Sequence, residues 1–529
     1  MSQTMTVREA TMGLLRAYGI TTVFGNPGST ELRMFRDWPR DFRYVLGLNE
    51  SCCVAMADAF AQVNRNASFV NLHSAAGVGH AMASIFNAYR NQSPVIVLAG
   101  QQTRAMFPTE PFLFSTDAAE LPKPYVKWSV EPARAQDVPQ ALVRAYHTAM
   151  QRPRGPVFLS VPEDDWDVEC TLPEIRIVDD EVAPNPTALR GLAAKLSQSQ
   201  NPLIVVGAAV DQAGAWNEII ELAERLEAPV WASPMSARCS FPENHRLFAG
   251  FLPPVRSQLR SCLEGAGVIL VIGAPAFTYH VHTEGPYIPS SATLYHMTED
   301  PQQAARSPVG TSIVCSLAVG LRQLIEQLPR GERNAGKGRR PLPAPEPKDP
   351  IPGEYLMAAI AQAMPGDAIV VEEAPSHRNA LHDYLPIASS GSFYTEGSGG
   401  LGWALPGAIG VSLAQPKRKV ICIVGDGSAL YSIQALWNAA QAKLPITFIV
   451  FNNRGYAALK AFSDALKISG APGQEVSGMN FVDIARGFGV EGRVVNRVQD
   501  VLPALRTAFA GSSPILLDVH LEAGYKPLY

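Results

Sequence analysis

The feature that most restricts this chain is a recurring one: short unbroken apolar runs, closed by glycine, asparagine or proline, alternate with stretches whose apolar residues keep helical spacing. A run apolar on both faces belongs to a strand covered on both faces, and strands that alternate with helices build parallel, doubly wound sheets. The expectation is α/β from end to end. A chain of 529 residues exceeds what one hydrophobic core organises, since domains cluster near about 100 to 200 residues. Three doubly wound parallel-sheet domains are therefore expected.

Three segments carry the pattern. The first, residues 1–180, holds the candidate strands TTVFGN, FRYVLGL, ASFVNLH, PVIVLAG and GPVFLSVP. The second, 181–340, holds NPLIVVGAAV, APVWAS and GVILVIGAP, with the helical AWNEIIELAERLEA among them and no GxGxxG turn. Residues 330–353 are too rich in proline, glycine and charge to build a core, and 341–353 read as an exposed linker. The third segment, 354–529, alternates DAIVVEE, KVICIVGDG, ITFIVFNN and PILLDVHL with helices. Whether the first and third segments copy one sheet topology is left open at this level.

Composition excludes several classes. With 47% hydrophobic and 17% charged residues and a net charge of −4, there is no basic excess to hold a phosphate backbone, so nucleic acid is not an expected partner. No apolar run reaches the roughly 18 residues of a membrane span, and the first twenty or so residues lack the layout of a signal peptide. A cytoplasmic protein is expected. The seven cysteines (Cys52, Cys53, Cys170, Cys239, Cys262, Cys315, Cys422) are odd in number and without CxxC spacing, which argues for buried free thiols over disulfides or zinc.

The most informative stretch is VICIVGDGSALYSIQALWNAAQAKLPITFIVFNNRGY. Residues 420–424 suit a buried parallel strand. Gly425-Asp426-Gly427 then turns into an expected helix, with Gly427 and Ser428 at its start and Leu430, Ile433, Leu436, Trp437 and Ala440 at helical spacing. A second apolar run ends at Asn452-Asn453. Such a unit brings two strand ends together at the place where open α/β sheets bind ligands, so Asp426 and Asn453 are expected to converge. A carboxylate, an amide oxygen and a backbone carbonyl make a hard oxygen site for magnesium, and a helix start adds N–H groups for phosphate. Each turn alone is a common strand ending. Together, 27 positions apart from Asp426 to Asn453, they resemble the signature of thiamine diphosphate enzymes. That resemblance implies thiamine diphosphate and Mg2+ as cofactors. It places the metal on Asp426, Asn453 and the carbonyl of Gly455, with Gly425, Gly427, Ser428 and Tyr456 around the diphosphate.

In the first segment, TVFGNPGSTELRMFRDWPRDFRYVLGLNES, FVNLHSAAGVGHAMASIFNAYRNQSPVIVLAGQQTRAM, VKWSVEPA and GPVFLSVPEDDW follow in order, and GAPAFTYH follows in the second. Over nearly the whole chain these motifs closely resemble the benzoylformate decarboxylases, which belong to the thiamine diphosphate-dependent 2-keto acid decarboxylases. The resemblance implies pyrimidine-binding, middle and diphosphate-binding domains, in that order. It makes Glu50 the acid that activates the cofactor, Leu401 the wedge beneath it and Gly399 the carbonyl that meets its aminopyrimidine. Glu373 falls beside the cofactor and Ser376 on a diphosphate-binding serine. Ser29 is assigned to the substrate carboxylate, His73 to the adduct oxygen and His280 to the proton at carbon. Taken singly, Glu50 is a helix-start acid, Ser29 a helix cap and each histidine a core or loop residue; as a matched set they point to one site.

The resemblance further implies a homodimer or homotetramer whose sites lie between subunits, Glu50 facing the cofactor of another copy. A small 2-keto acid is the expected substrate. Gln101-Gln102 stands where pyruvate decarboxylases carry adjacent histidines, which favours the benzoylformate branch. Phe112, Leu113, Ala458, Leu459 and Phe462 offer an apolar wall for an aromatic ring. Two departures alter that pocket: His377 and Arg378 replace small hydroxyl residues, and Thr395-Glu396 replaces an aromatic-cysteine pair. Arg378 either admits a polar substituent or pairs with Glu396, the second being favoured. Another aryl or polar 2-keto acid, or ligation as in acetolactate synthases, stays open here, while a cofactor-binding relic is disfavoured by the retained Glu50, Asp426 and Asn453.

Overall fold

The computed structural model describes residues 4–329 and 338–524; residues 330–337, at the head of the proline-rich stretch, lie outside them. Every apolar run named above is a strand. They build three six-stranded sheets whose neighbours are parallel throughout. The expected α/β architecture is therefore present three times.

Across the first sheet the order is Arg43–Leu46, Thr22–Gly25, Ser68–Leu72, Val95–Gln101, Val157–Pro162 and Ser129–Val130. Across the third it is Phe393–Thr395, Ile369–Glu373, Val420–Gly425, Ile446–Asn452, Ile515–His520 and Glu491–Val495. Numbered within each sheet, both read 2-1-3-4-6-5, so the first and third domains share one topology. The middle sheet, Phe248–Phe251, Val230–Ala232, Pro202–Val206, Val268–Ile272, Thr293–Thr298 and Thr311–Val314, reads 3-2-1-4-5-6.

Most strands that the apolar pattern did not reveal are edge strands, such as Ser129–Val130, Phe393–Thr395 and Glu491–Val495. An edge needs no continuous apolar run, because one side is uncovered. Thr293–Thr298 lies inside its sheet but is interrupted by His296, whose buried imidazole bonds the carbonyl of Ala274 at 2.8 Å. Residues 341–350 form no helix or strand and are mostly exposed, and the next helix, Gly353–Ala363, starts at a buried glycine.

Two helices join the first and third domains. Glu50–Asn64 packs against Ala404–Ala414, which is apolar around most of its circumference and buried over residues 404–412. The approach is close: a Cβ on Gly410 would stand 2.1 Å from the carbonyl oxygen of Met56. Any larger residue there must push the helices apart.

The single helix expected after Gly425 is instead two short ones, Asp426–Ala429 and Ala435–Gln441. Between them the chain continues in tighter turns, with the N–H of Tyr431 bonded to Ser428 and that of Ser432 to Ala429. Here the loop at Gly402, with φ +99°, lies against the Cβ of Tyr431. Tertiary packing thus overrides the apolar spacing.

Candidate active site

The C-terminal ends of the strands Ile369–Glu373, Val420–Gly425 and Ile446–Asn452 meet around a cavity of about 400 Å³. Gly425, Asp426, Gly427 and Ser428 line it from one strand end, and Asn453, Gly455 and Tyr456 from the next. Ser376 and His377 line it from the third, and Leu401, Ala458, Leu459 and Phe462 supply apolar wall. These positions, scattered over the third segment, are brought together by one sheet. The ring of Tyr456 covers the turn so closely that a Cβ on Gly427 would lie 2.4 Å from it. Ser376 Oγ accepts the N–H of Ala458 at 3.0 Å, which ties two of the loops together.

The polar atoms here are unevenly satisfied. Asp426 accepts the N–H of Gly427 at 2.7 Å and of Gly455 at 3.2 Å, yet burial pushes its carboxyl up to about 6. The carbonyl of Gly455 accepts one N–H, from Ala457 at 3.0 Å, leaving a lone pair. Asn453 Oδ1 is buried and has no hydrogen-bond partner among the described residues. A buried carboxylate without a counter-charge beside an orphaned amide oxygen is costly unless a cation joins them. The residues therefore fit a hard metal ion and the phosphates it would hold.

A second cavity, of about 650 Å³, opens toward the middle domain and shares Leu401, Ala458 and Phe462 with the first. His280, Arg378, Glu396 and Gly399 line it. The imidazole of His280 stands edge-on to Phe462, with ring centres 4.8 Å apart.

Several expected contacts fall elsewhere. Glu373 lines neither cavity; its carboxylate accepts the N–H groups of Gly402, Trp403 and Ala404 at 2.6, 2.7 and 2.7 Å, capping the helix Ala404–Ala414 and pinning the loop that carries Leu401. Burial raises its carboxyl to about 8. Thr395 is not a pocket residue either, being fully buried with its hydroxyl donated to the carbonyl of Glu372 at 2.8 Å. Its short side chain is drawn under the sheet by that bond. Arg378 does pair with Glu396, at 3.6 Å, but its nearer partner is Glu372, at 2.9 Å. Glu396 in turn holds the N–H groups of Ser398, at 2.8 Å, and Gly399. His377 packs against Phe451, and burial lowers its imidazole to about 4.

In the first domain, Ser29 opens the 3-10 turn Ser29–Phe35, and His73 precedes the helix Ser74–Arg90. Gly28, which precedes Ser29, stands so close to His73 that a Cβ on it would touch the imidazole ring. Glu50 starts the helix Glu50–Asn64, and its carboxylate lies 3.1 Å from His80. Ser29, Glu50, His73, Phe112 and Leu113 line neither cavity of their own chain, and Phe112 is 87% exposed.

Sequence reasoning missed Glu31. Its carboxylate is buried and accepts from Gly28 N–H at 2.7 Å, Gly100 N–H at 3.0 Å and Thr30 Oγ at 2.6 Å, and it meets His73 Nδ1 at 2.9 Å. The hydrogen bond that the Glu31 carboxylate accepts from His73 raises the pKa of that imidazole. The available signal was the spacing Gly28 to Glu31, which is that of a helix-start acid reaching back to the cap backbone.

Comparison with known proteins agrees with this geometry. The family models "Thiamine pyrophosphate enzyme" match as the N-terminal TPP binding domain over residues 5–120, the central domain over 189–324 and the C-terminal TPP binding domain over 373–519. The fold and site thus define a thiamine diphosphate enzyme. A benzoylformate decarboxylase of Pseudomonas aeruginosa is 44% identical, over 97% of this chain and 98% of that protein. The crystal structure of benzoylformate decarboxylase from Polynucleobacter necessarius superimposes with a TM-score of 0.96 at 38% identity, over 99% of both chains. The 4-hydroxybenzoylformate decarboxylase of Rhodococcus jostii RHA1 gives 0.95 at 40% identity, over 99% of this chain and 100% of that one. Acetolactate synthase large subunits stand further off, that of Parasynechococcus marenigrum being 26% identical over 99% of this chain and 88% of its own. The chain belongs to the benzoylformate decarboxylase family, and is a thiamine diphosphate-dependent carboxy-lyase.

Proposed function

We propose that this protein removes carbon dioxide from an aryl 2-keto acid, benzoylformate or a ring-substituted relative of it, and releases the aldehyde. The observation that carries the site reading is the pair formed by buried Asp426 and the orphaned Oδ1 of Asn453. Among the described residues no group of three or more His, Cys, Asp or Glu side chains could hold a metal. One carboxylate with neutral oxygens from Asn453 and Gly455 is therefore the donor set offered, and it suits Mg2+ completed by phosphate oxygens. Thiamine diphosphate, when bound, supplies the electron sink for the pair left by departing carbon dioxide.

The remaining roles belong to the chain. Ser376, Ser428 and the backbone of Gly425 and Gly427 would hold the diphosphate beneath Tyr456, and Leu401 and Gly399 would meet the ring end. Glu373 acts through the loop it pins. Ser29 would hold the substrate carboxylate, His73 would move a proton at the former keto oxygen, His280 at the carbon, and Glu50 at the aminopyrimidine. Because Ser29, Glu50 and His73 line neither cavity of their own chain, a second copy completes the site. The working form is then a homodimer or a dimer of dimers, in which exposed Phe112 and half-buried Leu113 cover the ring pocket of the partner. No helix of the described residues is long and apolar enough to cross a membrane, and a cytoplasmic location is part of this reading.

The test is aldehyde release from benzoylformate and 4-hydroxybenzoylformate by protein loaded with thiamine diphosphate and Mg2+, before and after chelation. Turnover of either acid, lost on chelation and restored by Mg2+, is expected. Cofactor binding without turnover of any arylglyoxylate overturns the substrate assignment.

A further inference from the structure

A third cavity, of about 120 Å³, lies between the first and middle domains and shares no lining residue with the two above. Arg65, Arg152 and Arg154 wall it, with Gln92, Gln212 and Glu299. Their charges do not balance. Arg152 is paired with Asp180 at 2.6 Å and with Glu299 at 3.4 Å. Glu299 also accepts the N–H of Leu317 at 3.0 Å. Arg65 and Arg154 form no ion pair among the described residues: Arg65 donates to the carbonyl of Asp211 at 3.1 Å, and Arg154 to the carbonyl of Arg65 at 3.2 Å.

The carboxylates of Asp180 and Glu299, which already pair Arg152, are the anions that also act on Arg154, from beyond ion-pair distance. Lys127 packs beside Gly155 and donates to the carbonyls of Thr148 at 2.6 Å and Gln151 at 2.5 Å, so a fourth cation stands close to Arg154. Asp300 lies behind Gln92, at 3.4 Å, but its carboxylate caps the helix Pro301–Arg306. The carboxylate of Asp211 is turned away to Arg238 and Ser390. Burial, and then the neighbouring Arg152, lowers the pKa of Arg154. Facing cations outnumber free carboxylates in a space that is polar and too small for an organic cofactor.

We propose that this cavity is a binding site for a small oxyanion of the phosphate class, which pairs the guanidinium groups of Arg65 and Arg154 and ties the first domain to the middle one. Planar guanidinium groups match such an anion. Arg65 is the C-terminal cap of the helix Glu50–Asn64, in left-handed conformation at φ 54°, and Ala61 and Gln62 of that helix also line the cavity. The anion therefore braces the far end of the helix that begins with Glu50.

The experiment titrates inorganic phosphate into the holoenzyme, saturated with thiamine diphosphate and Mg2+ so that the diphosphate cavity is filled, and reads the melting temperature against sodium chloride of equal ionic strength. A saturable rise is expected. In Arg154→Gln the phosphate concentration at half-effect should increase by at least about tenfold, the scale of one lost charge-assisted hydrogen bond, while aldehyde formation is unchanged. Arg65→Gln should move the same way, and Arg154→Lys less. If Arg154→Gln does not fold, Arg65→Gln carries the test. No saturable rise, or a rise of equal midpoint in the glutamine variants, overturns the proposal, and neither result bears on the decarboxylase reading.

Discussion

The first and third domains are the same sheet used twice, for opposite purposes. After the first strand of each, the chain turns through Gly25-Asn26-Pro27-Gly28-Ser29 in one and Glu373-Ala374-Pro375-Ser376 in the other; after the third strand comes His73 in one and Asp426 in the other. After the second strand come Glu50 and its helix, against the loop 396–403 and the helix Ala404–Ala414, and these two helices pack on each other. The difference lies in how the polar groups are satisfied. In the third domain, among the described residues, Asn453 Oδ1 is orphaned and Asp426 has only N–H partners, an arrangement that suits a cation and the phosphates it would hold. In the first domain Glu31 meets three donors and His73, and Glu50 meets His80. That strand end is internally paired, which suits proton transfer. Under the proposed function, one scaffold yields a holding half and a proton-moving half by changing a few residues at its strand ends.

The widest break in this comparison is expected from Asp426→Ala. It should remove aldehyde formation by about a thousandfold or more and abolish the melting-temperature rise produced by thiamine diphosphate with Mg2+, because the proposed donor set of Asp426, Asn453 and Gly455 has lost its carboxylate. A variant that still binds the cofactor would return the metal site to question. Glu50→Gln should cost about a hundred- to ten-thousandfold in kcat, the range of a lost general acid–base, while keeping the cofactor-dependent rise. Mixing the two variants sharpens the contrast: if each site takes one half from each copy, exchange of subunits should restore activity to roughly a quarter of the parent's. No recovery after demonstrated exchange would place both halves in one chain.

A smaller effect, about tenfold in kcat/KM, is expected from Glu31→Gln. Since Glu31 raises the pKa of His73, its loss should move the His73 limb of the pH–rate profile to lower pH; an unmoved limb would leave Glu31 purely structural. The smallest effect concerns stability. His377 is held near 4 by burial, so it is neutral in the fold and protonates in the unfolded chain below about 6.5. Stability present above about pH 6.5 is therefore lost as pH falls toward 4, by at most about 3 kcal/mol. His377→Gln should flatten that stretch of a melting-temperature profile, and an unchanged slope would assign the acid sensitivity to other groups.

Much of this site was legible in the chain because its parts are local. The turns at Gly425-Asp426-Gly427 and Asn452-Asn453 follow apolar strands, and an apolar strand has only one place to go in a doubly wound sheet. The orientations of Glu373 and Thr395 were not legible for the opposite reason: which way a side chain at a strand end turns depends on partners far along the chain, here the backbone of 402–404 and Glu372. The interrupted helix after Gly427 is similar, since its break answers to the loop at Gly402.

By itself, then, the sequence determined the class of fold, the number of sheets, the convergence of two strand ends on one cavity and the family, all of which rest on short-range patterns of apolar runs, turns and motif order. Only the tertiary structure decided that the outer sheets share one strand order, that Glu373 caps a helix, that Arg378 answers first to Glu372, that Glu31 stands behind His73 and that unpaired arginines meet between two domains. Those are contacts between residues distant in the chain, and a linear pattern carries no record of which buried charge will find which partner.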